Sequence, residues 1–156
     1  MRFQSTESSC GAQALCNAVL LLRSEPLLED WVIDVAGTDG VDGTSPKGII
    51  RAARIAGLHM RKLRTMQFPS EVTSPMVIAV DNDTHWVVCQ RMASGRYLVV
   101  DSAAVKNVGF TLAEGELSAR ACCGKNKKPF TCLVVTEATE GPKPRVVYKL
   151  EVPKEI

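Results

Sequence analysis

The sequence is poor in the features that mark membrane and secreted proteins. No apolar run approaches the roughly 20 residues that a membrane-spanning helix needs, since the longest aliphatic stretch covers only residues 19–22. The opening residues, Met-Arg-Phe-Gln-Ser-Thr-Glu, contain no apolar signal-peptide core. We therefore expect no membrane insertion, and we expect the cytoplasm as the location.

Aromatic residues and excess charge are also scarce. Phe, Tyr and Trp make up 5% of the chain, too few for a platform on which bases stack. The formal net charge is only +2, whereas a nucleic-acid-binding domain concentrates basic residues on one face. The composition thus argues against a nucleic-acid partner.

Metal-ligand spacing is missing as well, although the chain has six cysteines. Zinc sites need paired ligands at finger-like spacing, and only the adjacent Cys122 and Cys123 come near that pattern, with no histidine cluster beside them. Without a secretory signal, reduced thiols are expected rather than disulfides. We therefore predict no metal and no other cofactor.

What the chain does have is 156 residues with 46% hydrophobic content, enough for one domain with a core. Apolar periodicity and capping residues predict helices first and β-rich runs afterwards, an α+β arrangement. We expect residues 1–140 to form the domain, and residues 141–156 to be its C-terminal strand or a tail. The predicted helices cover 10–23, the stretch between Pro26 and Gly37, Ser45 to Gly57, and 111–120 capped by Thr111. The predicted strands cover 58–63, 76–80, 86–92, 97–101, 131–136 and 146–152.

Cys10 has the best setting for a nucleophilic thiol. It lies where the first helix begins, so unpaired amides and the positive end of the helix dipole face its sulfur and favour the thiolate. Gly11 beside it leaves room for a substrate backbone. Cys16, Cys89 and Cys132 are interpreted as small buried hydrophobes. A half-buried thiol without a catalytic role remains the alternative for Cys10.

A general base is sought among only two histidines. His85 follows a polar loop and opens an apolar strand, whereas His59 is interpreted as a surface or packing residue. A hairpin turn at residues 93–95 would bring Asp101, at the end of the next strand, beside His85. There Asp101 could orient the imidazole. The alternatives are a strand-edge histidine without a role and an aspartate that merely forms a turn.

Taken together, several short motifs resemble the C39 peptidase family. They are Gln4, Cys10-Gly11, Ala14-Leu15, His85-Trp86-Val87-Val88 and Asp101, supported by the stretches 42–45 and 49–57. The family consists of papain-like domains known at the front of peptide-exporting ABC transporters, where they cut leader peptides after a double glycine. The resemblance covers roughly residues 3–135. This chain departs from the family pattern at Ser9, Trp86 and Ser102. No transporter sequence follows, so we expect a stand-alone domain.

The resemblance implies a fold, a reaction and roles for four residues. The fold is papain-like, with an N-terminal helical half packed on a C-terminal antiparallel sheet and the active site in the cleft between them. Cys10 would be the nucleophile, His85 the base and Asp101 its orienting partner. The Gln4 side chain and the Cys10 amide would bind the oxyanion.

The expected substrate is a peptide or protein, cut at a peptide or isopeptide bond next to small residues such as Gly-Gly. Two alternatives stay open. One is a peptide-docking module without catalysis. The other is a different amide-cleaving papain-like hydrolase, either deubiquitinase-like or a cell-wall peptidase.

Overall fold

The computed structural model describes residues 10–23, 27–38, 43–80, 85–101, 109–122 and 129–138, with the backbone alone at residues 23 and 122. Three helices come first: α1 (Cys10–Arg23), α2 (Glu29–Ala36) and α3 (Pro46–Ile55). Five strands follow: β1 (Leu58–Thr65), β2 (Met76–Val80), β3 (His85–Arg91), β4 (Tyr97–Val100) and β5 (Gly109–Leu112). Helix α4 (Glu114–Cys122) and strand β6 (Phe130–Ala138) come last. The predicted α+β order is confirmed.

The six strands form one sheet in the order β1-β6-β2-β3-β4-β5, and each neighbouring pair is antiparallel. Hairpin β3–β4 turns at residues 92–96, and the ladder runs from Arg91 opposite Tyr97 to Val88 opposite Val100. Strand β2 pairs Val80 with His85. His85 and the residue after Val100 therefore lie at the same end of the sheet, as the predicted hairpin requires.

Helices cover both faces of this sheet. One face packs against α1, α2 and α3, and the other against α4. Because strand side chains alternate between faces, β3 and β4 supply apolar residues to both cores. The first face receives Val77, Val88, Leu98, Val100 and Leu133, and the second receives Met76, Ile78, Val87, Cys89, Tyr97, Val99 and Cys132.

Local sequence signals explain how α3 begins and ends. The Ser45 hydroxyl accepts a hydrogen bond from the Gly48 amide at 3.1 Å, and Pro46 occupies the first turn. After the helix, Gly57 has a φ of 87°, a left-handed conformation that favours glycine. These three predicted roles are confirmed. Gly37 likewise ends α2 with a φ of 70°, as predicted.

Helices α2 and α3 meet at Gly48 with almost no space between their backbones. A Cβ atom at this position would overlap the Ala36 carbonyl oxygen, which belongs to the last residue of α2. Only glycine permits so close an approach. The contact ties α2 to the start of α3 and so helps to fix the segment that leads into α3, including Thr44.

One sequence prediction is wrong. Residues 111 and 112 belong to strand β5 rather than to a helix beginning at Thr111, and α4 starts at Glu114. The capping interaction exists but lies two residues further on, because the Glu116 carboxylate accepts a hydrogen bond from the Ala113 amide at 3.0 Å. Thr111 can pair with Leu98 on β4, and that strand partner prevails over a local cap.

The other predicted elements are present, with limits that differ by a few residues at most, except those outside the described residues. Gln4, the proposed start of α2 at Pro26, the strand at 146–152 and the segment 141–156 all lie outside them. Within the described ranges, no helix is long and apolar enough to cross a membrane.

Candidate active site

The site begins with Cys10, the first residue of α1. Its side chain is buried, with 7% of its surface exposed, and the first-turn amides of the helix are not used by the helix itself. The Gly11 and Trp86 backbones make hydrogen bonds that favour the thiolate. The start of α1, packed against the start of β3, therefore holds the sulfur in place.

His85 provides the second group, at the first position of β3. Its Nε2 atom lies 2.6 Å from Oδ1 of Asp101, which directly follows β4. A side-chain hydrogen bond also joins His85 to Cys10. Because Nε2 faces the carboxylate, Nδ1 is the ring nitrogen left for the sulfur. Cys10, His85 and Asp101 thus form a continuous hydrogen-bonded row.

The pKa values of the first two groups move in opposite directions. Burial alone would raise the pKa of Cys10, but the hydrogen bond from His85, that from the Trp86 backbone and the charge of His85 outweigh it and lower the pKa. The hydrogen bonds to Asp101 and then to Cys10 raise the pKa of His85 to about 9, against the opposing effect of burial. The site therefore favours a thiolate beside an imidazolium more strongly than the isolated side chains would.

Trp86, at the next position on β3, bonds to Cys10 through its backbone and contacts the start of α1. Its indole N–H donates to the Thr44 carbonyl at 3.2 Å, and its ring lies against Gly11. A Cβ atom on Gly11 would lie 2.8 Å from Cβ of Thr44 and 3.0 Å from Cδ1 of Trp86. The glycine after Cys10 is thus required by the protein's own packing, a reason that the sequence analysis did not give.

Arg120 is the residue of this site that the sequence analysis missed. It lies on α4, and its guanidinium donates to Oδ2 of Asp101 at 2.9 Å. No local signal reveals this pair, because the two residues are 19 positions apart and α4 begins later than predicted. A basic residue in the last turn of a helix ordinarily indicates only a favourable interaction with the helix dipole.

The remaining predicted residues fall into two groups. His59 is exposed on β1, and Cys16, Cys89 and Cys132 are buried, as the sequence predicted. Gln4 lies outside the described residues, so its distance from Cys10 is not described. Within the described residues, no group of three His, Cys, Asp or Glu side chains is arranged to hold a metal ion.

Comparison with known proteins identifies the family. The family model described as "Peptidase C39 family" matches residues 1–114, which is more than half of the chain. The chain therefore belongs to the peptidase C39 family. No curated protein matches the sequence at significance.

Solved structures share the fold at low sequence identity. One is a double glycine motif protease from an AMS/PCAT transporter in complex with the leader peptide (22% identity, 88% of this chain and 89% of that chain, TM-score 0.66). Another is the peptidase domain of Streptococcus ComA, a bifunctional ABC transporter involved in quorum sensing (15%, 85% and 96%, 0.65). A third is the peptidase C39-like domain of a toxin secretion ATP-binding protein from Vibrio parahaemolyticus (16%, 82% and 96%, 0.55). These neighbours confirm the predicted papain-like fold.

Proposed function

We propose that this protein is a cysteine peptidase that hydrolyses a peptide bond next to small residues, with Gly-Gly as the preferred site. The observation that carries the proposal is the row of hydrogen bonds from Cys10 through His85 to Asp101. This arrangement supports the roles of a nucleophile, a base and a group that orients the base. Membership of a peptidase family supports the same chemistry.

In the proposed reaction the Cys10 thiolate attacks the carbonyl carbon of the substrate, and the carbonyl oxygen becomes an oxyanion. The His85 imidazolium gives its proton to the leaving amine as the C–N bond breaks, leaving an acyl group on the sulfur. His85 then accepts a proton from water, and the resulting hydroxide attacks the thioester. The acid product leaves, and the thiolate–imidazolium pair is restored.

Gln4 completes the proposal as an oxyanion donor. Stabilisation of a tetrahedral oxyanion needs donors placed before the reaction begins. The Cys10 amide at the start of α1 is one such donor, and the Gln4 side chain, six positions earlier, is proposed as the second because of the family resemblance. Gln4→Ala should lower kcat about 100-fold, whereas Gln67→Ala, at an exposed glutamine outside the site, should not.

The Gly-Gly preference rests on the structural neighbours. One of them is described as a double glycine motif protease and was crystallised with a leader peptide. We extend that substrate class to this chain as part of the proposal. The proposal also places the peptidase domain at residues 1–140 and the protein in the cytoplasm.

The test uses synthetic peptides with a central Gly-Gly and matched peptides with Val-Val at the same place, with the products identified by mass spectrometry. The wild type should cleave the Gly-Gly peptide after its second glycine, and Cys10→Ala should not. Cys132→Ala, which removes a buried thiol elsewhere, is the matched control and should retain cleavage. If Cys10→Ala cleaves as fast as the wild type, the proposal is wrong.

A measurement of peptide affinity distinguishes the docking-module alternative from a peptidase. Fluorescence anisotropy of the same labelled peptide measures affinity whether or not cleavage occurs. Tight binding by both the wild type and Cys10→Ala, with no cleavage of any peptide or protein offered, would replace the peptidase with a docking module.

A further inference from the structure

Asp101 is contacted from two directions at the end of the sheet. Its Oδ1 atom lies 2.6 Å from His85 Nε2, and its Oδ2 atom accepts from Arg120 at 2.9 Å. Cys10 reaches this end on α1, and Arg120 reaches it on α4, which packs on the opposite face. The nucleophile and the guanidinium therefore approach the same histidine–aspartate pair from opposite sides.

The two contacts use different oxygens of one carboxylate. Rotation about the Cβ–Cγ bond of Asp101 would move both oxygens together, so the Arg120 contact opposes any rotation that brings Oδ2 towards the imidazole. Asp101 has 6% of its surface exposed, so solvent competes little with these partners. Each oxygen thus keeps a separate partner.

Arg120 also brings a fixed charge. A guanidinium stays protonated throughout the range in which an imidazole titrates, and the Arg120 side chain is 27% exposed, so solvent screens it only in part. Among the described residues, the charged groups set against His85 are then Cys10 from α1, Asp101 after β4 and, beyond the carboxylate, Arg120. The two acidic groups on α4 have other partners, since Glu114 bonds to the Tyr97 hydroxyl and Glu116 caps the helix.

We propose that Arg120 is a positioning residue that acts through Asp101. It limits His85 to one carboxylate oxygen, and its positive charge partly neutralises that carboxylate. An imidazolium held by an unshared buried carboxylate is more stable and gives up its proton less readily to a leaving amine. Arg120 lies beyond the residues that the family model matches, 1–114. The predicted effect of Arg120 on cleavage rests on the proposed function, whereas its predicted effect on the titration of His85 does not.

The first test is the NMR titration of the two histidines in full-length protein labelled at imidazole Cε1. In Arg120→Gln, the midpoint of His85 should rise by about half a pH unit, because a neighbouring positive charge has been removed. Arg120→Lys keeps the charge and should stay near the wild-type midpoint. His59, which is exposed on β1, is the internal reference.

A purely structural role for Arg120 is tested by a matched variant on the same helix. Glu116→Ala removes the cap of α4 without touching Asp101, so it should lower stability and leave the His85 midpoint unchanged. Arg96→Gln removes an exposed arginine that bonds to the Thr111 carbonyl, and it controls for net charge. A His85 midpoint in Arg120→Gln that stays at the wild-type value or falls overturns the proposal, as does an equal rise in either control.

Kinetics provide the second readout. With the Gly-Gly peptide, Arg120→Gln should lower kcat about tenfold with KM unchanged, because proton transfer to the leaving group is impaired rather than binding. Arg120→Lys should recover most of the loss. If the wild type cleaves no peptide but the midpoint rises as expected, the proposed function fails and the tuning of His85 by Arg120 stands. A wild-type kcat in Arg120→Gln would contradict the inference.

Discussion

The start of α1 and the interior of the sheet both bury cysteine thiols, yet the first lowers the thiol pKa and the second raises it. Cys10 is 7% exposed and has a lowered pKa, whereas Cys89 and Cys132 are fully buried and have raised pKa values. Burial raises the pKa of Cys132 to about 11, with Glu71 adding to it, and burial also raises that of Cys89.

The difference shows what burial alone does to a thiol. Transfer out of water penalises the thiolate at all three positions. Only Cys10 has an imidazole and backbone amides within hydrogen-bonding distance, and these outweigh the penalty. A reactive thiol in this fold therefore depends on its partners and not on its degree of exposure.

The largest expected effect is on alkylation. At pH 6.5, iodoacetamide should label Cys10 at least about 1000-fold faster than Cys89 or Cys132, because only the thiolate reacts and, of these three thiols, Cys10 alone has a lowered pKa. Mass spectrometry of peptides from a time course measures each site separately. Similar rates at Cys10 and Cys132 would show that the two environments do not differ as described.

Asp101→Asn should remove most of the stabilisation that His85 gives to the Cys10 thiolate. An amide cannot stabilise the imidazolium as a carboxylate does, so we expect cleavage of the Gly-Gly peptide to fall by about 100-fold or more. Glu114→Gln is the matched control, since Glu114 is a carboxylate on α4 that bonds to Tyr97 instead. Equal losses in the two variants would mean that the carboxylate of Asp101 has no special role.

The pH profile follows from the two shifted pKa values. A lowered pKa at Cys10 means that the thiolate forms at lower pH than in a free cysteine, and a raised pKa at His85, to about 9, means that the imidazolium persists into mildly alkaline solution. Peptide cleavage should therefore begin at a lower pH than the pKa of a free cysteine would allow, and it should decline as the pH rises through about 9. A rate that keeps increasing above pH 9 would indicate that the imidazolium is not required.

Gly11→Ala tests the packing around Cys10 rather than its charged partners, because Thr44 and Trp86 lie against Gly11. The new methyl group would press on Cβ of Thr44 and on the Trp86 ring, so we expect a loss of about 1–3 kcal/mol in the free energy of unfolding. Gly115→Ala is the control, because open space surrounds that glycine on α4, and the helix should gain about 0.5–1 kcal/mol. Urea denaturation measures both changes. A Gly11→Ala protein as stable as the wild type would show that Thr44 and Trp86 can move to make room for the methyl group.

The smallest effect is expected for Trp86→Phe. It removes the indole donor to the Thr44 carbonyl, a bond worth about 1 kcal/mol, and leaves an aromatic ring in place. Trp31→Phe, at a half-buried tryptophan on α2, corrects for the lost apolar area. The difference between the two urea midpoints measures the hydrogen bond, and no difference would mean that it contributes nothing.

Sequence reasoning recovered the parts of the molecule that local chemistry determines. Ser45, Pro46 and Gly57 predict both ends of α3, and the hairpin between β3 and β4 predicts that His85 and Asp101 meet. It failed where the structure or role of a residue depends on a partner far away in the sequence. Thr111 has a capping pattern but pairs with β4 instead, and Arg120 acquires its meaning only when α4 packs beside the sheet end. The place of Gln4 relative to Cys10 stays a prediction from the family resemblance.

The backbone contact at Gly48 has a consequence for the gene as well as for the protein. Because any side chain there would collide with the peptide of Ala36, every nucleotide change that replaces this glycine should separate α2 from α3 and displace Thr44, whose carbonyl holds Trp86. In a saturation library selected for peptide cleavage, codon 48 should retain little besides the synonymous glycine codons. A residue with no chemistry of its own would then be as intolerant of change as Cys10, the proposed nucleophile.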